Sequence, residues 1–197
     1  MYQPIFGPYS EKPLGYEALT RNQHVSNPVH VVNPLKQASC LSHLEMTIET
    51  ARNKLSDTDI HLHINVTPET LLVGSKLLKE EKDVKLVLEL LEDYDFTPYI
   101  KLLEHIGLPL FLDDIDKSSN WLTLLNNHMV VGVKTSISFY KNIIIENPSI
   151  IKGLVNFCDS QGMSLIVEGV EDTRIANEIF SAGGYVQGYA LSPPIIL

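Results

Sequence analysis

His61-Leu62-His63-Ile64-Asn65-Val66 alternates polar and apolar side chains, and Thr67-Pro68-Glu69-Thr70 follows without a break. The alternation is that of a β-strand, whose side chains point to opposite faces in turn. Proline is tolerated in the first turn of a helix, where its missing N–H would have had no partner, so Thr67-Pro68 predicts a helix start. A strand that passes directly into a helix is the repeating unit of an α/β fold.

The same pattern recurs along the chain. Lys85–Leu90, Leu108–Leu112, Met129–Val133, Ser164–Val167 and Gly184–Val186 are short apolar runs bounded by polar residues or glycine, and are predicted as buried strands. Between them lie helical patterns. In Pro34–Leu55, the residues Leu35, Ala38, Leu41, Leu44, Ile48, Ala51 and Leu55 fall on one face of a long helix. Thr97-Pro98 and Asn147-Pro148 repeat the proline start. Leu102, Leu103 and Ile106 follow the first, and Ile151, Leu154, Val155 and Cys158 the second, with Gly162 at the expected C-cap. Asp172-Thr173 opens a last helix that Gly183-Gly184 stops. This alternation predicts a parallel sheet, either a compact barrel or a doubly wound sheet. The absence of a Gly-x-Gly-x-x-Gly or phosphate-loop sequence weakens the nucleotide-fold option.

With 197 residues, 44% hydrophobic and 20% charged, the chain suits one globular domain over 1–197. Fifteen basic against 24 acidic residues give a net charge of −9, which disfavours a DNA or RNA duplex and an anionic membrane surface. An anionic ligand would need bound cations or a local basic group. Cys40 and Cys158 lie far apart with no metal spacing and read as reduced, buried thiols. No apolar run approaches the roughly 20 residues of a membrane span. Met1–Phe6 has neither a basic stretch nor an apolar core of a signal peptide. The expectation is cytoplasmic.

Chemistry enters at the strand ends. Tyr16 leads to Glu17, Ile64 to Asn65, Leu88 to Glu89, Leu112 to Asp113-Asp114, Val167 to Glu168 and Val186 to Gln187, while Val133 leads to Lys134. In a parallel barrel these ends converge on one mouth. Crowded carboxylates are costly unless cations neutralise them, and hard oxygen donors suit Mg²⁺, Mn²⁺ or Ca²⁺. The Asp113-Asp114 pair could bridge two ions roughly 3.5–4 Å apart, the usual clamp for phosphodiester hydrolysis. Glu69 and Asp172 read instead as helix-start residues. His61 and His63 share a strand face and read as barrel-layer or helix-covered side chains, and His24 and His30 as solvated loop residues. Trp121 reads as helix packing; an exposed position would suggest an interface.

The same residues resemble the EAL family of cyclic di-GMP phosphodiesterases. Tyr2-Gln3-Pro4-Ile5 looks like its opening strand, and Gly15-Tyr16-Glu17-Ala18-Leu19-Thr20-Arg21 contains its naming motif with a trailing arginine. Asn65-Val66-Thr67-Pro68, Glu89-Leu90-Leu91-Glu92, Asp113-Asp114, Glu168-Gly169-Val170-Glu171 and Gln187-Gly188-Tyr189 follow in the family's order. The resemblance implies an α/β fold, a (β/α)8-like TIM barrel with an antiparallel first strand. It implies that Glu17, Asn65, Glu89 and Asp113 hold one ion, and that Asp113, Asp114 and Glu168 serve a second. Glu17, Lys134 and Glu171 would carry the chemistry, with Lys134 beside the attacking water. Gln3, Leu19, Arg21 and Gln187 would meet substrate, Arg21 at a phosphate, and Gln187 would join Glu171 in supporting the water and metal network. Glu92 would anchor a loop. Two Mg²⁺ or Mn²⁺ ions are implied, with Ca²⁺ as a candidate inhibitor. The implied reaction is in-line hydrolysis of cyclic di-GMP to linear pGpG.

Two departures stand out. The family's Asp-Phe-Gly-Thr-Gly-Tyr-Ser-Ser loop, which couples metal binding, substrate binding and dimerisation, is here Asp114-Ile115-Asp116-Lys117-Ser118-Ser119-Asn120. Its glycines are gone, so positive φ angles become costly. The family's Lys-Ile-Asp is Lys134-Thr135-Ser136, which removes a carboxylate near the second ion. These changes leave an alternative open: a catalytically inactive EAL domain acting as a cyclic di-GMP receptor or a protein-binding regulator. A homodimer or a protein partner belongs to these expectations. A third reading is another metal-dependent phosphohydrolase on a barrel.

Overall fold

The computed structural model describes residues 1–19, 37–117 and 120–197; Arg21, His24, His30 and Leu35 lie outside the described residues. Eight strands form one sheet in sequence order: β1 (Tyr2–Ile5), β2 (Gly15–Ala18), β3 (His61–Val66), β4 (Lys85–Leu90), β5 (Leu110–Leu112), β6 (Val130–Thr135), β7 (Ser164–Val167) and β8 (Tyr185–Val186). β1 is antiparallel to β2, and every later neighbouring pair is parallel. Reciprocal backbone hydrogen bonds between Phe6 and Val186, at 3.0 and 2.9 Å, draw β8 back to the end of β1 and bring the barrel nearly to closure. The expected barrel with an antiparallel first strand is what forms.

The helices α1 (Gln37–Leu55), α2 (Pro68–Glu80), α3 (Ile100–Ile106), α4 (Ile137–Phe139), α5 (Ile150–Ser160) and α6 (Thr173–Ala182) connect the strands. Two cores result. Outside the sheet, Leu44, Ile48, Ala51 and Leu55 of α1 and the matching faces of the other helices cover Leu62, Leu88, Leu112, Leu165 and Val167. Each of the leucine, isoleucine and valine side chains among them contributes about 1.5–3 kcal/mol relative to exposure. Inside the barrel lies a small plug of Ile5, Val87, Phe111 and Ile166, with Tyr185 packed against it. Gly132 makes room for that plug: a Cβ there would lie 2.1 Å from Phe111 Cζ.

Local chemistry sets most boundaries. Thr67 caps α2 by accepting the Thr70 N–H at 3.2 Å. Thr97-Pro98 opens a 3₁₀ turn (Thr97–Tyr99) that runs into α3, and its first N–H is taken by Asp95 at 2.9 Å. Asp172 caps α6, and Gly162 and Gly183 take left-handed φ values of 69° and 99° where α5 and α6 end. The predicted strand from Leu108 begins instead at Leu110, because Pro109 has no N–H to give a ladder. The predicted Met129–Val133 strand extends to Thr135, because Lys134 and Thr135 pair with Ile166 and Val167. Cys40 and Cys158 are free and buried, and burial followed by Asp159 pushes the Cys158 thiol up to about 11. Trp121 is 2% exposed and belongs to the core. Among the described residues, no helix is long and apolar enough to cross a membrane.

Candidate functional site

Strand parity builds the site. Val87, Phe111 and Ile166 of the inner plug are each followed two residues later by Glu89, Asp113 and Glu168, and Gly132 is followed by Lys134. A step of two along a strand returns to the same face, so these side chains form a polar layer above the apolar plug. Gln3 pairs in register with Glu17 across the antiparallel β1–β2 ladder, and Asn65 with Glu89 across β3–β4.

Lys134 is fully buried at the centre of that layer. Its Nζ lies 2.5 Å from Glu168 Oε1, 2.8 Å from Glu89 Oε2, 3.1 Å from Glu17 Oε2 and 3.6 Å from Asp113 Oδ1. Glu17 also receives Asn65 Nδ2 at 2.7 Å and Gln187 Nε2 at 2.6 Å. Gln3, Leu19 and Glu171 line the same cavity of about 460 Å³, into which Glu17, Asn65, Asp113, Glu168 and Gln187 also face. The Glu171 carboxylate is 59% exposed and meets Lys141 at 3.2 Å, so it sits at the rim and not on Lys134. The Tyr140 hydroxyl fixes that stretch by accepting the Glu171 and Asp172 N–H groups at 3.1 and 3.2 Å.

The rebuilt loop is anchored on both sides. Asp114 carries its positive φ, 45°, a conformation that aspartate adopts more readily than most residues. Ile115 N–H donates to Lys134 O at 3.0 Å. Asp116, which sequence reading gave no role, accepts the Ser136 N–H at 2.8 Å and the Ser136 hydroxyl at 2.7 Å. A carboxylate from the loop therefore sits against the serine that stands where a carboxylate was expected. Lys117 reaches back to Asp114 and lies 3.7 Å from Glu92, which places Glu92 against this loop. His63 is the barrel-layer side chain that the sequence suggested, but its partner was not foreseen. It sits one layer below Asn65, and its Nδ1 meets Glu89 Oε1 at 2.8 Å while its ring packs edge-on against Phe111. His61 is exposed.

The layer holds more negative charge than Lys134 can balance. Burial pushes the Glu168 carboxyl up to about 8, despite the opposing pull of Lys134. Burial also drives Asp113 well above the usual carboxylate range, with Glu168, Glu89 and Glu17 adding to the effect. For Glu89, burial is outweighed by Lys134 and His63, which hold it down to about 2. Burial alone would lower Lys134, but Asp113, Glu168, Glu17 and Glu89 keep its ammonium well above the ordinary value. Asp113 and Glu168, the acids that favour a proton, are also those whose oxygens come within 4.8 Å of one another and of Asp114. Asp113 Oδ1 and Asn65 Oδ1 are buried and accept no hydrogen bond. Unsatisfied hard oxygens beside surplus carboxylate charge are the donor set of a divalent cation. The acidic group fits a metal site.

A family model described as EAL domain matches residues 1–194. The chain belongs to the EAL domain family. Comparison with curated protein sequences finds no match for this EAL domain. Among solved structures, Klebsiella pneumoniae BlrP1 as the pH 6 manganese/cy-diGMP complex aligns at TM-score 0.78 and 21% identity, over 95% of this chain and 53% of that one. EAL enzyme Bd1971 in its cAMP- and cyclic-di-GMP-bound form aligns at 0.73 and 21%, over 98% and 61%. The EAL domain of Mycobacterium smegmatis DcpA aligns at 0.73 and 24%, over 99% and 92%. At these identities the likeness establishes the fold. The chain spans only 61% of the Bd1971 chain and 53% of the BlrP1 chain.

Proposed function

We propose that this EAL domain, taken as one domain over residues 1–197, hydrolyses cyclic di-GMP to linear pGpG with the aid of two Mg²⁺ or Mn²⁺ ions. The observation that carries the reading is the convergence of Glu17, Asn65, Glu89, Asp113 and Glu168 around Lys134, with buried Asp113 and Asn65 oxygens left without donors. The cavity above them, about 460 Å³, is of a size that suits a small-molecule ligand. The BlrP1 and Bd1971 structures carry the cyclic dinucleotide on the same fold.

Glu17, Asn65, Glu89 and Asp113 would hold one ion, and Asp113, Asp114 and Glu168 the other. When bound, such ions lower the pKa of water and neutralise charge on a phosphoryl oxygen. Lys134 holds the carboxylates in place and keeps Glu89 charged. Asn65 and Gln187 fix the two oxygens of Glu17, which sets the direction of its remaining lone pairs. Gln3 and Leu19 line the cavity and would face the dinucleotide, and Arg21 would offer its fork of donors to a phosphate. Glu171 and Gln187 orient water at the rim and floor. Ca²⁺, larger and less exacting in geometry, would fill the oxygen set and inhibit. The setting of this reaction is the cytoplasm.

One observation favours a second reading, an inactive domain that binds the dinucleotide or a protein partner, alone or as a homodimer. Ser136 supplies no charge, and its hydroxyl is already committed to Asp116 and to the Phe139 N–H. The deciding experiment incubates purified protein with cyclic di-GMP and Mn²⁺ or Mg²⁺ and separates products by chromatography. Formation of pGpG that is lost in Glu17→Ala supports the phosphodiesterase. Calorimetric binding without turnover selects the receptor. Absence of both turnover and binding sinks both ligand-based readings and leaves the protein partner.

A further inference from the structure

Lys117 belongs to the loop after β5 that turns back over the acidic pair. Its ammonium contacts Asp114 Oδ2 and lies 3.7 Å from Glu92 Oε1. The Lys117 side chain is 45% exposed, while those of Asp114 and Glu92 are 15% exposed. Its backbone N–H donates to Asp114 O at 2.9 Å, closing a tight turn that directs the side chain onto the same residue. Its neighbour Asp116 is pinned to buried Ser136 by two hydrogen bonds of 2.8 and 2.7 Å. The lysine is thus delivered to Asp114 by an anchored stretch of backbone.

Asp114 is one of the three carboxylates, with Asp113 and Glu168, whose oxygens converge within 4.8 Å. One of its oxygens already serves a cation that the chain itself provides. We propose that Lys117 is a built-in competitor for the outer divalent cation, and that it sets the affinity with which the Asp113–Asp114–Glu168 group takes up its ion. The inference rests on the reading of these acids as metal ligands. An ion approaching Asp114 meets a like charge at contact distance and must share the carboxylate or displace the ammonium. Displacement has a defined end state, because Glu92 stands beside the lysine and can receive it. Lys134 differs: it is fully buried among four carboxylates, with nowhere to move.

The test is Mn²⁺ titration of the intact protein without nucleotide, followed by calorimetry and by the paramagnetic signal of free Mn²⁺. Lys117→Met is expected to tighten the weaker Mn²⁺ site by roughly tenfold or more, within the range over which groups that contact metal ligands act. Lys117→Arg, which keeps the charge, should bind like the parent. In an Asp114→Asn background Lys117→Met should have no effect, which separates competition at Asp114 from a general change in surface charge. Unchanged or weaker binding in Lys117→Met overturns the proposal, as does an equal gain in the Asp114→Asn background. If no variant binds Mn²⁺, the proposal falls together with the metal reading. If Mn²⁺ binds as expected but cyclic di-GMP is not turned over, the proposal stands and only the phosphodiesterase reading fails.

Discussion

Lys134 is the residue on which the site's charge balance turns. Replacing it with methionine takes a buried ammonium away from Glu17, Glu89 and Glu168. Removing one side of a buried ion cluster costs about 3–5 kcal/mol, because the charges left behind lose their compensation. Lys134→Met should lower the unfolding free energy of the metal-free protein by about that amount in denaturant titration, and Mn²⁺ should restore part of it. A variant as stable as the parent would mean that the carboxyls protonate at no cost. Ser136 offers a milder test. Its Oγ caps α4 at the Phe139 N–H, so Ser136→Ala should cost about 0.5–2 kcal/mol. Because the hydroxyl also holds Asp116, the Ile115 and Lys117 amides should exchange hydrogen faster; unchanged exchange would show that the backbone N–H bond to Asp116 suffices. The acids were legible in the sequence because an acid or amide after an apolar strand has few places to go except the barrel mouth. Their partners were not. His63 meets a residue 26 positions later, and Ser136 one 20 positions earlier, and it is the parallel pairing of neighbouring strands that brings them together.

At the level of strands and helices, local chemistry and tertiary pairing divide the control. Lys85–Leu90 and Ser164–Val167 form where periodicity puts them, and Thr67-Pro68 starts its helix as predicted. The proline signals at Thr97 and Asn147 were weaker guides. The first yields a 3₁₀ turn, and α5 begins only at Ile150, with the Ser149 hydroxyl turned to Asn147 at 2.6 Å and capping nothing. The reason Lys134 faces inward was hidden in β6, where Gly132 reads as a weak strand residue until Phe111 is seen filling its space. Gly132→Ala should therefore overpack the plug and cost about 1–3 kcal/mol. Combining it with Phe111→Leu should recover most of the loss in thermal melts. If the double variant is no more stable than Gly132→Ala alone, the glycine serves backbone conformation and not the space of the ring.

Over the molecule as a whole, the surplus of carboxylates links stability to pH. Glu168 is raised from 4.5 to about 8, so between these values the folded chain keeps a proton that the unfolded chain has lost. Its contribution is complete below about pH 4.5 and is lost as pH rises through about 8. Glu89, held down to about 2, acts in the opposite sense: its contribution is present above about 4.5 and is lost as pH falls towards 2. The metal-free protein should melt at a lower temperature at about pH 8 than at about pH 6, and Mn²⁺ should flatten or reverse that slope by taking the proton's place. A metal-free melting temperature that does not change over this interval would contradict the buried, protonated Glu168. The barrel seam has a mechanical consequence. Tyr2 and Ile195 exchange backbone hydrogen bonds of 2.8 Å each, and Phe6 and Val186 do the same four residues further in along the first strand. Because these pairs run antiparallel, a pull between Met1 and Leu197 loads them one after another, as the teeth of a zip are loaded. In single-molecule stretching the molecule should give way first at low force along this edge, while the seven remaining ladders between β1 and β8 still hold.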